Sequence, residues 1–470
     1  MKHKIIIILL VLLSLNSLSA NVDSDISYLQ NIIEQCYVNY NKECENGLNI
    51  ESTIKKIKRY YKINYLLNWR IKDKKERSSM VLSDSIYLGM KKDFSEKNAH
   101  LTVNYKKYKN HVFEIKQNYF TDVYLEKKDE KYIVYKSNST LLKKGDEYND
   151  DKGYLKKCIN DNKELFQIVI QSDKNIQSIK LKFNNKKIKL KCRTLNYSSE
   201  DYFLKYSKIN KTFYISIKTC PYIFDESKNY INEINNLIEE MNNIQNIENL
   251  IIDLRNNQGG FNCFEYLLPQ LFCRNYKTIT FDSYLSLAKR GEIELISPEY
   301  LSEIKKNYKV NFPENENLIL SAEREYKENK FEKKYYKGLI DYPLSELPQI
   351  PNDRISNKIY ILINKKTASQ AEMGIALAYL FGIDKVVLIG DSSRGCLENM
   401  NILNYTLPNS KVTIRFGNIS LKKSTLLICN NKWKGELLGF EPDYWTFSEE
   451  SVIETLKYLI DDSELDKLKL

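Results

Sequence analysis

The fold is decided by one stretch, Leu250-Ile251-Ile252-Asp253-Leu254-Arg255-Asn256-Asn257-Gln258-Gly259-Gly260. Its first five residues are apolar except for Asp253, which is the pattern of a buried strand. Gly259 and Gly260 then end the strand in a turn. Because no side chain shields the backbone of paired glycines, their N–H groups can serve as an oxyanion hole. An ordinary glycine-rich turn is the alternative that this stretch alone leaves open.

Strands and helices alternate on both sides of this turn. The predicted strands are 213–217, 250–254, 359–363 and 386–389, and the predicted helices are 231–241, 264–272 and 369–381. Such alternation favours parallel βα units. We therefore predict an α/β core over residues 205–470, with the more polar residues 276–350 as an insertion.

The first half of the chain has two different patterns. Ile26, Leu29, Ile32 and Ile33 recur at helical spacing, and the region from 22 to 98 contains no proline. It predicts a helical domain over residues 21–110. Between residues 111 and 200, short strand-like runs are separated by Asn, Asp, Gly and Lys clusters, which predicts a small β-rich module.

A second turn, Thr367-Ala368-Ser369-Gln370-Ala371-Glu372, follows the strand 359–363 and opens a helix. Ser369 is expected at the helix N-terminus, where free N–H groups and the helix dipole favour developing negative charge. Taken alone, the segment is better explained by a capping box, in which Ser369 and Glu372 bond each other's backbone N–H groups.

Together the two turns resemble a specific family, the tricorn and carboxyl-terminal-processing serine peptidases. Residues 250–260 look like the family's "IDLRxNxGG" turn, and residues 367–372 look like its "TASxxE" nucleophile turn. Residues 389–395 and 435–443 resemble the "IGxxTxG" and "EGxGIxPD" segments, in the family's order. Residues 141–147 are similar to the "LKxGDxI" segment of the family's PDZ-like module.

The resemblance implies a Clp-protease/crotonase-like α/β spiral core, preceded by a helical cap and a PDZ-like module. It implies Ser369 as the nucleophile and the N–H groups of Gly259 and Gln370 as oxyanion donors, with Gly260 in the same hole. In one branch of the family a lysine directly after the "TxG" glycine is the general base. Here that position is Cys396, which makes a lysine dyad doubtful.

Tricorn-like relatives instead take a histidine from the helical cap. His100, in the segment Asn98 to Thr102, resembles that histidine, and His111 is the weaker candidate. A neutral imidazole can accept the serine proton at neutral pH. Glu436 matches the family's distal glutamate, while Ala99 replaces the serine that usually precedes the histidine, so the relay is incomplete.

Residues 1–20 are organised like a secretory signal peptide. A basic start, Met1 to Lys4, precedes an apolar run from Ile5 to Leu15 and the small residues from Ser17 to Ala20. The run is shorter than the ~20 residues of a spanning helix. We expect a secreted or periplasmic protein without stable membrane insertion after signal cleavage, and an uncleaved N-terminal anchor is the alternative.

Composition excludes other classes of function. The 42% of hydrophobic residues excludes a wholly disordered chain, and the net charge of +11 comes from lysines spread among acidic residues. That pattern is typical of a solvated surface and not of a nucleic-acid-binding face. The nine cysteines have no zinc-site spacing, and Cys36–Cys44 and Cys263–Cys273 are candidates for local disulfides.

The sequence thus predicts an exported serine endopeptidase acting on proteins or peptides, with no metal or organic cofactor. A catalytically inactive peptide- or ligand-binding protein on the same scaffold is the alternative, because Cys396 and Ala99 depart from the family pattern. The sequence leaves the oligomeric state and the route of export open.

Overall fold

A computed structural model gives the architecture. It describes residues 20–37, 39–68, 70–71, 73–94, 101–105, 109–112, 116–148, 152–195, 202–223, 228–261, 263–274, 292–297, 300–302, 335–338, 352–382, 384–421, 429 and 431–468. Residues 1–19 of the predicted signal peptide and most of the predicted insertion 276–350 lie outside the described residues.

Helices and strands are numbered in chain order. The α-helices are α1 (Ala20–Cys36), α2 (Tyr40–Glu45), α3 (Ile50–Leu67), α4 (Lys74–Phe94), α5 (Tyr230–Asn242), α6 (Phe264–Phe272), α7 (Gln370–Gly382) and α8 (Glu449–Ile460). The strands are β1 (Thr102–Tyr105), β2 (Lys109–Val112), β3 (Gln117–Lys128), β4 (Lys131–Ser137), β5 (Glu147–Tyr148), β6 (Leu155–Asn160), β7 (Lys163–Ser172), β8 (Ser178–Phe183), β9 (Lys186–Lys191), β10 (Leu204–Ile209), β11 (Thr212–Ile217), β12 (Ile247–Asp253), β13 (Glu292–Ile296), β14 (Tyr335–Gly338), β15 (Ile355–Ile363), β16 (Val386–Gly390), β17 (Asn399–Thr406), β18 (Thr413–Leu421) and β19 (Tyr444–Trp445).

The sheet that carries both turns has the order β10-β11-β12-β15-β16-β19. From β11 to β19 all neighbours are parallel, while β10 pairs with β11 in antiparallel fashion. Asp253 is in register with Leu362, so the carboxyl ends of β12 and β15 lie at one edge of the sheet. This edge therefore receives both the glycine turn and the serine turn. The predicted alternation of strands and helices is confirmed.

Burial on both faces explains why these strands read as apolar runs. On one face, Ile251, Tyr360 and Ile389 belong to a core cluster shared with Val452 and Leu456 of α8. The start of α6 packs against α7, where a Cβ on Gly374 would come within 2.8 Å of the Phe264 ring. The apolar face of α5 is also buried, through Ile234, Leu237, Ile238 and Met241.

A second sheet, β6-β7-β3-β4-β5-β8-β9, occupies most of the region predicted to be β-rich. All of its neighbouring strands are antiparallel. Its core contains Leu125, Val134, Ile168 and Leu181. Both sheets described so far belong to one compact unit, which comprises residues 115–290, 342–397 and 423–470.

The other compact unit comprises residues 1–114, 291–341 and 398–422. It contains α1 to α4, and the inward face of α1 is buried as the helical spacing predicts. It also contains a sheet of order β14-β13-β18-β1-β2, with β17 paired to β18. The sequence analysis did not predict the strands of this sheet over residues 399–421, which pair with partners far away along the chain. No helix within the described part of the chain is long and apolar enough to cross a membrane.

Both predicted disulfides are wrong, because all nine cysteines are free. Cys263 and Cys273 flank the two ends of α6, about 15 Å apart at 1.5 Å per residue, which is beyond the reach of a disulfide. The Cys263 thiol instead bonds the thiol of Cys220. At the other site, the Cys44 side chain bonds Tyr40, and the Cys36 Sγ lies 3.8 Å from the Ser297 hydroxyl.

A buried network of charges supports the carboxyl end of β12. The Asp253 carboxylate accepts bonds from Lys218 Nζ at 3.0 Å and from Arg255 Nε and Nη2 at 2.9 and 2.7 Å. It also accepts the Tyr214 hydroxyl at 3.0 Å. Burial by itself would raise the pKa of Asp253, but Arg255 and Lys218 hold that pKa well below its usual range. The strand end is therefore anchored by an ionised carboxylate.

We expect Asp253→Asn to destabilise the fold strongly, because it removes the carboxylate partner of the buried Lys218 and one of the two carboxylate partners of Arg255. Removing one member of a buried pair costs about 3–5 kcal/mol of unfolding free energy, which urea unfolding followed by circular dichroism measures. The control is Glu248→Gln, which breaks the exposed pair with Lys211, at a cost below about 1 kcal/mol. Equal midpoints for the two variants would contradict this role.

Candidate active site

Ser369 lies one residue before α7, in the turn that follows β15. Its φ is +54°, in the left-handed region that residues with a side chain seldom adopt. Such a conformation costs about 1–3 kcal/mol and persists only where neighbouring contacts enforce it. The N–H of Glu372 donates to the Ser369 carbonyl oxygen at 2.8 Å, and no bond from that N–H to the Ser369 hydroxyl is found. The capping box expected from sequence is thus only half formed, and the hydroxyl is not used as a cap.

Glu372 is the group that fixes this conformation. Its side chain is completely buried, and Oε2 accepts the Ser369 N–H at 3.0 Å and the Cys396 N–H at 2.7 Å. Oε1 accepts the Ser393 hydroxyl at 2.5 Å and the Gly395 N–H at 2.7 Å. One carboxylate therefore joins the nucleophile turn to the turn that follows β16. Burial raises the pKa of Glu372, and these four bonds oppose that effect.

The glycine turn lies directly against Ser369. Gly259 has a φ of +87°, and a Cβ at this position would be 2.8 Å from the Ser369 Cβ and 2.7 Å from the Ala368 carbonyl oxygen. Gly260 is equally constrained, since its Cβ would be 2.2 Å from the Cys220 carbonyl oxygen. The two predicted turns are thus brought together, and the contact leaves no room for side chains at either glycine.

Asn257 ties the glycine turn to its neighbours. Its carbonyl oxygen accepts the Ala368 N–H at 2.9 Å, and its Nδ2 donates to the Ile217 carbonyl at 3.1 Å. Its Oδ1 accepts the Gly259 N–H at 2.9 Å and the Cys220 thiol at 3.5 Å. The Gly259 N–H, which the sequence analysis predicted as an oxyanion donor, is therefore engaged by Asn257 in this structure.

Gln370, predicted as an oxyanion donor, is the first residue of α7, so its N–H has no acceptor within the helix. A Cβ on Gly259 would be 2.8 Å from the Gln370 nitrogen, which shows how near this N–H lies to the glycine turn. The side chain points elsewhere, because Nε2 donates to Glu265 Oε2 at 2.6 Å.

Cys396 occupies the position where a lysine base would be expected. Its side chain is buried, and burial raises the pKa of the thiol well above its usual range, with the Glu372 and Glu436 charges adding to the effect. The thiol is therefore neutral and unsuited to accept a proton. Glu436 lies in the adjacent turn, where the Leu437 N–H donates to the Gly395 carbonyl at 2.7 Å. The structure thus brings Glu436 to the neighbourhood of Cys396.

The structure describes neither side chain of the two candidate bases, His100 and His111. His100 lies outside the described residues, and for His111 only the backbone is described, within β2. Within the described ranges, no group of three or more His, Cys, Asp and Glu side chains could hold a metal ion.

Two polar side chains near the nucleophile turn were not predicted as parts of the site. Lys365 is only 5% exposed, and its Nζ donates to the Ser393 carbonyl at 2.8 Å and to the Ser392 hydroxyl at 3.3 Å. Asn118, from the start of β3, donates to the Asp391 carboxylate and, at 2.8 Å, to the Ser392 hydroxyl. Lysine and asparagine are usually exposed, so no sequence pattern signals their burial here.

Substituting Gly259 should disable the site while leaving the sheet intact. Gly259→Ala would push a methyl group into the Ser369 turn, and we expect labelling of Ser369 by a fluorophosphonate to slow by at least about a hundredfold, comparable with losing an oxyanion donor. Gly145→Ala is the matched control, because Gly145 also has a positive φ, +95°, but nothing lies within 4 Å of its added Cβ. Similar labelling rates for the two variants would argue against the contact.

Comparison with known proteins agrees with the geometry. The sequence model of peptidase family S41 matches residues 211–444, a span that contains both turns. No curated protein matches the chain. Among solved structures, mature CPAF is similar at 14% identity over 94% of this chain and 98% of its own, with a TM-score of 0.42.

Two further solved structures are similar at low identity. For the photosystem II D1 C-terminal processing protease the identity is 9% over 92% of this chain and 94% of its own, with a TM-score of 0.34. For the tricorn protease the identity is 13% over 89% of this chain and 36% of its own, with a TM-score of 0.31. At such TM-scores these likenesses carry no argument of their own. Through the match of residues 211–444, the chain belongs to peptidase family S41 and is a serine-type peptidase.

Proposed function

We propose that this chain is an exported endopeptidase that cleaves peptide bonds through an acyl-enzyme on Ser369. The observation that carries the proposal is the left-handed Ser369, held in contact with Gly259 at the N-terminus of α7. A strained residue at a helix start, with its hydroxyl not used as a cap, is typical of a functional position. The helix N-terminus would also favour the negative charge that forms during acyl transfer.

In the proposed reaction, His100 takes the Ser369 hydroxyl proton as the oxygen attacks the peptide carbonyl. The resulting oxyanion is bound by the Gln370 N–H and by the glycine turn, where the Gly259 N–H is shared with Asn257 or released from it. His100 then passes its proton to the leaving amine, which gives an ester on Ser369. Water attacks the ester with His100 again as base, and the serine is restored.

The choice of base follows from what surrounds Ser369. The buried, neutral Cys396 thiol cannot take the place of a lysine base. The Nζ of Lys365 donates to the Ser393 carbonyl and the Ser392 hydroxyl, so we assign the base to a histidine, whose neutral imidazole can accept a proton near pH 7. Glu436 would orient His100, directly or through water or Thr102. The proximity of the Glu436 charge to Cys396 supports this role for the glutamate.

Membership in a peptidase family implies protein or peptide substrates. The proposal that the enzyme acts after export depends on the signal-like residues 1–20. An enzyme of this kind would meet its substrates outside the cytoplasm.

A second candidate is a catalytically inactive binding protein on the same scaffold. The observation that favours it is the bond between the Gly259 N–H and Asn257 Oδ1, which occupies one of the two oxyanion donors implied by the family resemblance. Cys396, which stands where one branch of the family has a lysine base, also favours an inactive protein.

Ser369→Ala should abolish labelling by a fluorophosphonate, since this reagent reacts only with an activated serine hydroxyl. Labelling is read by intact-protein mass spectrometry, with the modified peptide identified after digestion. Ser448→Ala is a matched control, because Ser448 is an ordinary N-cap serine whose side chain accepts the Ser451 N–H. The control should lose only ~1 kcal/mol of stability and stay reactive. Labelling that persists without Ser369 would refute the assignment of the nucleophile.

His100→Ala should slow hydrolysis of an unfolded protein by about 10²–10⁴-fold, the usual contribution of a general base. The release of peptides from reduced, alkylated casein measures this rate, and His111→Ala serves as the control that keeps it. If wild type neither hydrolyses casein nor reacts with the fluorophosphonate, the inactive binding protein becomes the better account.

A further inference from the structure

Lys365 is a buried lysine that the proposed reaction does not use. It follows β15, four residues before Ser369, and its side chain is enclosed between the nucleophile turn and the turn after β16. Its Nζ donates to the Ser393 carbonyl at 2.8 Å and to the Ser392 hydroxyl at 3.3 Å. A buried ammonium group is costly unless it is paired or hydrogen-bonded, so its presence beside the nucleophile calls for a function.

Glu372 can hold both turns only while it is ionised. Four donors point at its two oxygens, from Ser369, Ser393, Gly395 and Cys396. A protonated Glu372 would direct a hydrogen of its own at one of these donors, and at least one bond would be lost. The Ser393 hydroxyl cannot easily reverse its direction, because its oxygen already accepts the Phe440 N–H at 2.7 Å.

Lys365 lies among several charged groups, one of which is Glu372. Burial lowers the pKa of Lys365 to about 8, while the Asp391 and Glu372 charges oppose that effect and Arg394 adds to it. Cys396 also faces Lys365, but burial keeps its thiol neutral. Lys365 is therefore mostly charged at neutral pH. Glu372 is completely buried, and nearby positive charge favours its ionised form.

We propose that Lys365 is a positioning residue, whose charge keeps Glu372 ionised and thereby holds Ser369 in the left-handed conformation from which its hydroxyl reacts. The proposal rests on the proposed function in taking Ser369 as the nucleophile. Lys365 acts through Glu372 and not on the substrate.

The test is the pH dependence of Ser369 labelling by a fluorophosphonate in wild type, Lys365→Gln and Lys365→Arg. Gln keeps a donor for the Ser393 carbonyl but has no charge. We expect its acid limb to move up by about one pH unit, so that labelling is up to about tenfold slower than in wild type on the acid side of that limb. The rates should converge above about pH 8, where Lys365 itself loses its charge. Arg stays charged and should keep the wild-type acid limb.

Lys358→Met is the control. Lys358 lies within β15 and away from the site, and its Nζ donates to the Asp384 carbonyl at 2.9 Å. It should leave the pH profile unchanged. A Gln variant slowed by the same factor at every pH, or not slowed at all, would overturn the proposal. Equal losses in the Gln and Arg variants, of labelling or of folding, would assign Lys365 a packing role and overturn it as well.

A readout without activity separates this proposal from the proposed function. If wild type is not labelled at all, the nucleophile assignment fails, but the coupling of Lys365 to Glu372 can still be measured by thermal unfolding. The difference in melting temperature between wild type and Lys365→Gln should narrow as the pH falls through the raised pKa of Glu372, because protonated Glu372 no longer interacts with the lysine charge. A constant difference would overturn the coupling.

Discussion

The carboxylate of Glu372 joins parts of the chain that the parallel sheet alone would only bring near one another. β15 and β16 deliver the turns 364–369 and 391–396 to the same edge, but strand pairing does not fix the conformation within either turn. The four donors of Glu372 do so, and one of them is the backbone of Ser369. The strain in the serine turn is thus balanced by hydrogen bonds to a completely buried carboxylate, where each bond is stronger than it would be at the surface.

Two groups of charged side chains are buried near this edge of the sheet. Asp253 is held ionised by Lys218 and Arg255 at the end of β12, and beyond the end of β15 Lys365 donates to the Ser393 carbonyl while the Ser393 hydroxyl donates to Glu372. Buried ion pairs contribute little net stability compared with apolar packing. Their value here is geometric, since these contacts fix the direction in which the chain leaves its strands. The edge of the sheet that carries Ser369 therefore also buries several charged side chains.

Much of this architecture could be predicted from sequence, because β12, β15 and β16 are buried on both faces and therefore appear as uninterrupted apolar runs. The positions of Ser369 and Gln370 followed from the same reasoning, helped by the family resemblance. Strands β17 and β18 were missed, and β18 pairs not only with β17 but also with β1 and β13, which lie far away in the chain.

The misses in the site have similar physical origins. Spacing along the sequence suggested a bond between Cys263 and Cys273, but a helix separates them and the thiol of Cys263 reaches Cys220. The burial of Lys365 and Asn118 depends on partners that sequence periodicity does not reveal. Glu372 was recognised only as half of a capping box, because its bonds to the turn after β16 come from residues more than twenty positions away.

The contact of Gly259 with residues 368–370 has a consequence for how such a site can change in evolution. The two turns are in direct contact, since a single added carbon on Gly259 would meet backbone atoms of Ala368 and Gln370. Neither segment can therefore be exchanged for that of a distant relative without its counterpart, although more than a hundred residues separate them in sequence. A chimera that transplants one turn alone should keep its sheet and lose its reactive serine. The two segments therefore form one heritable unit.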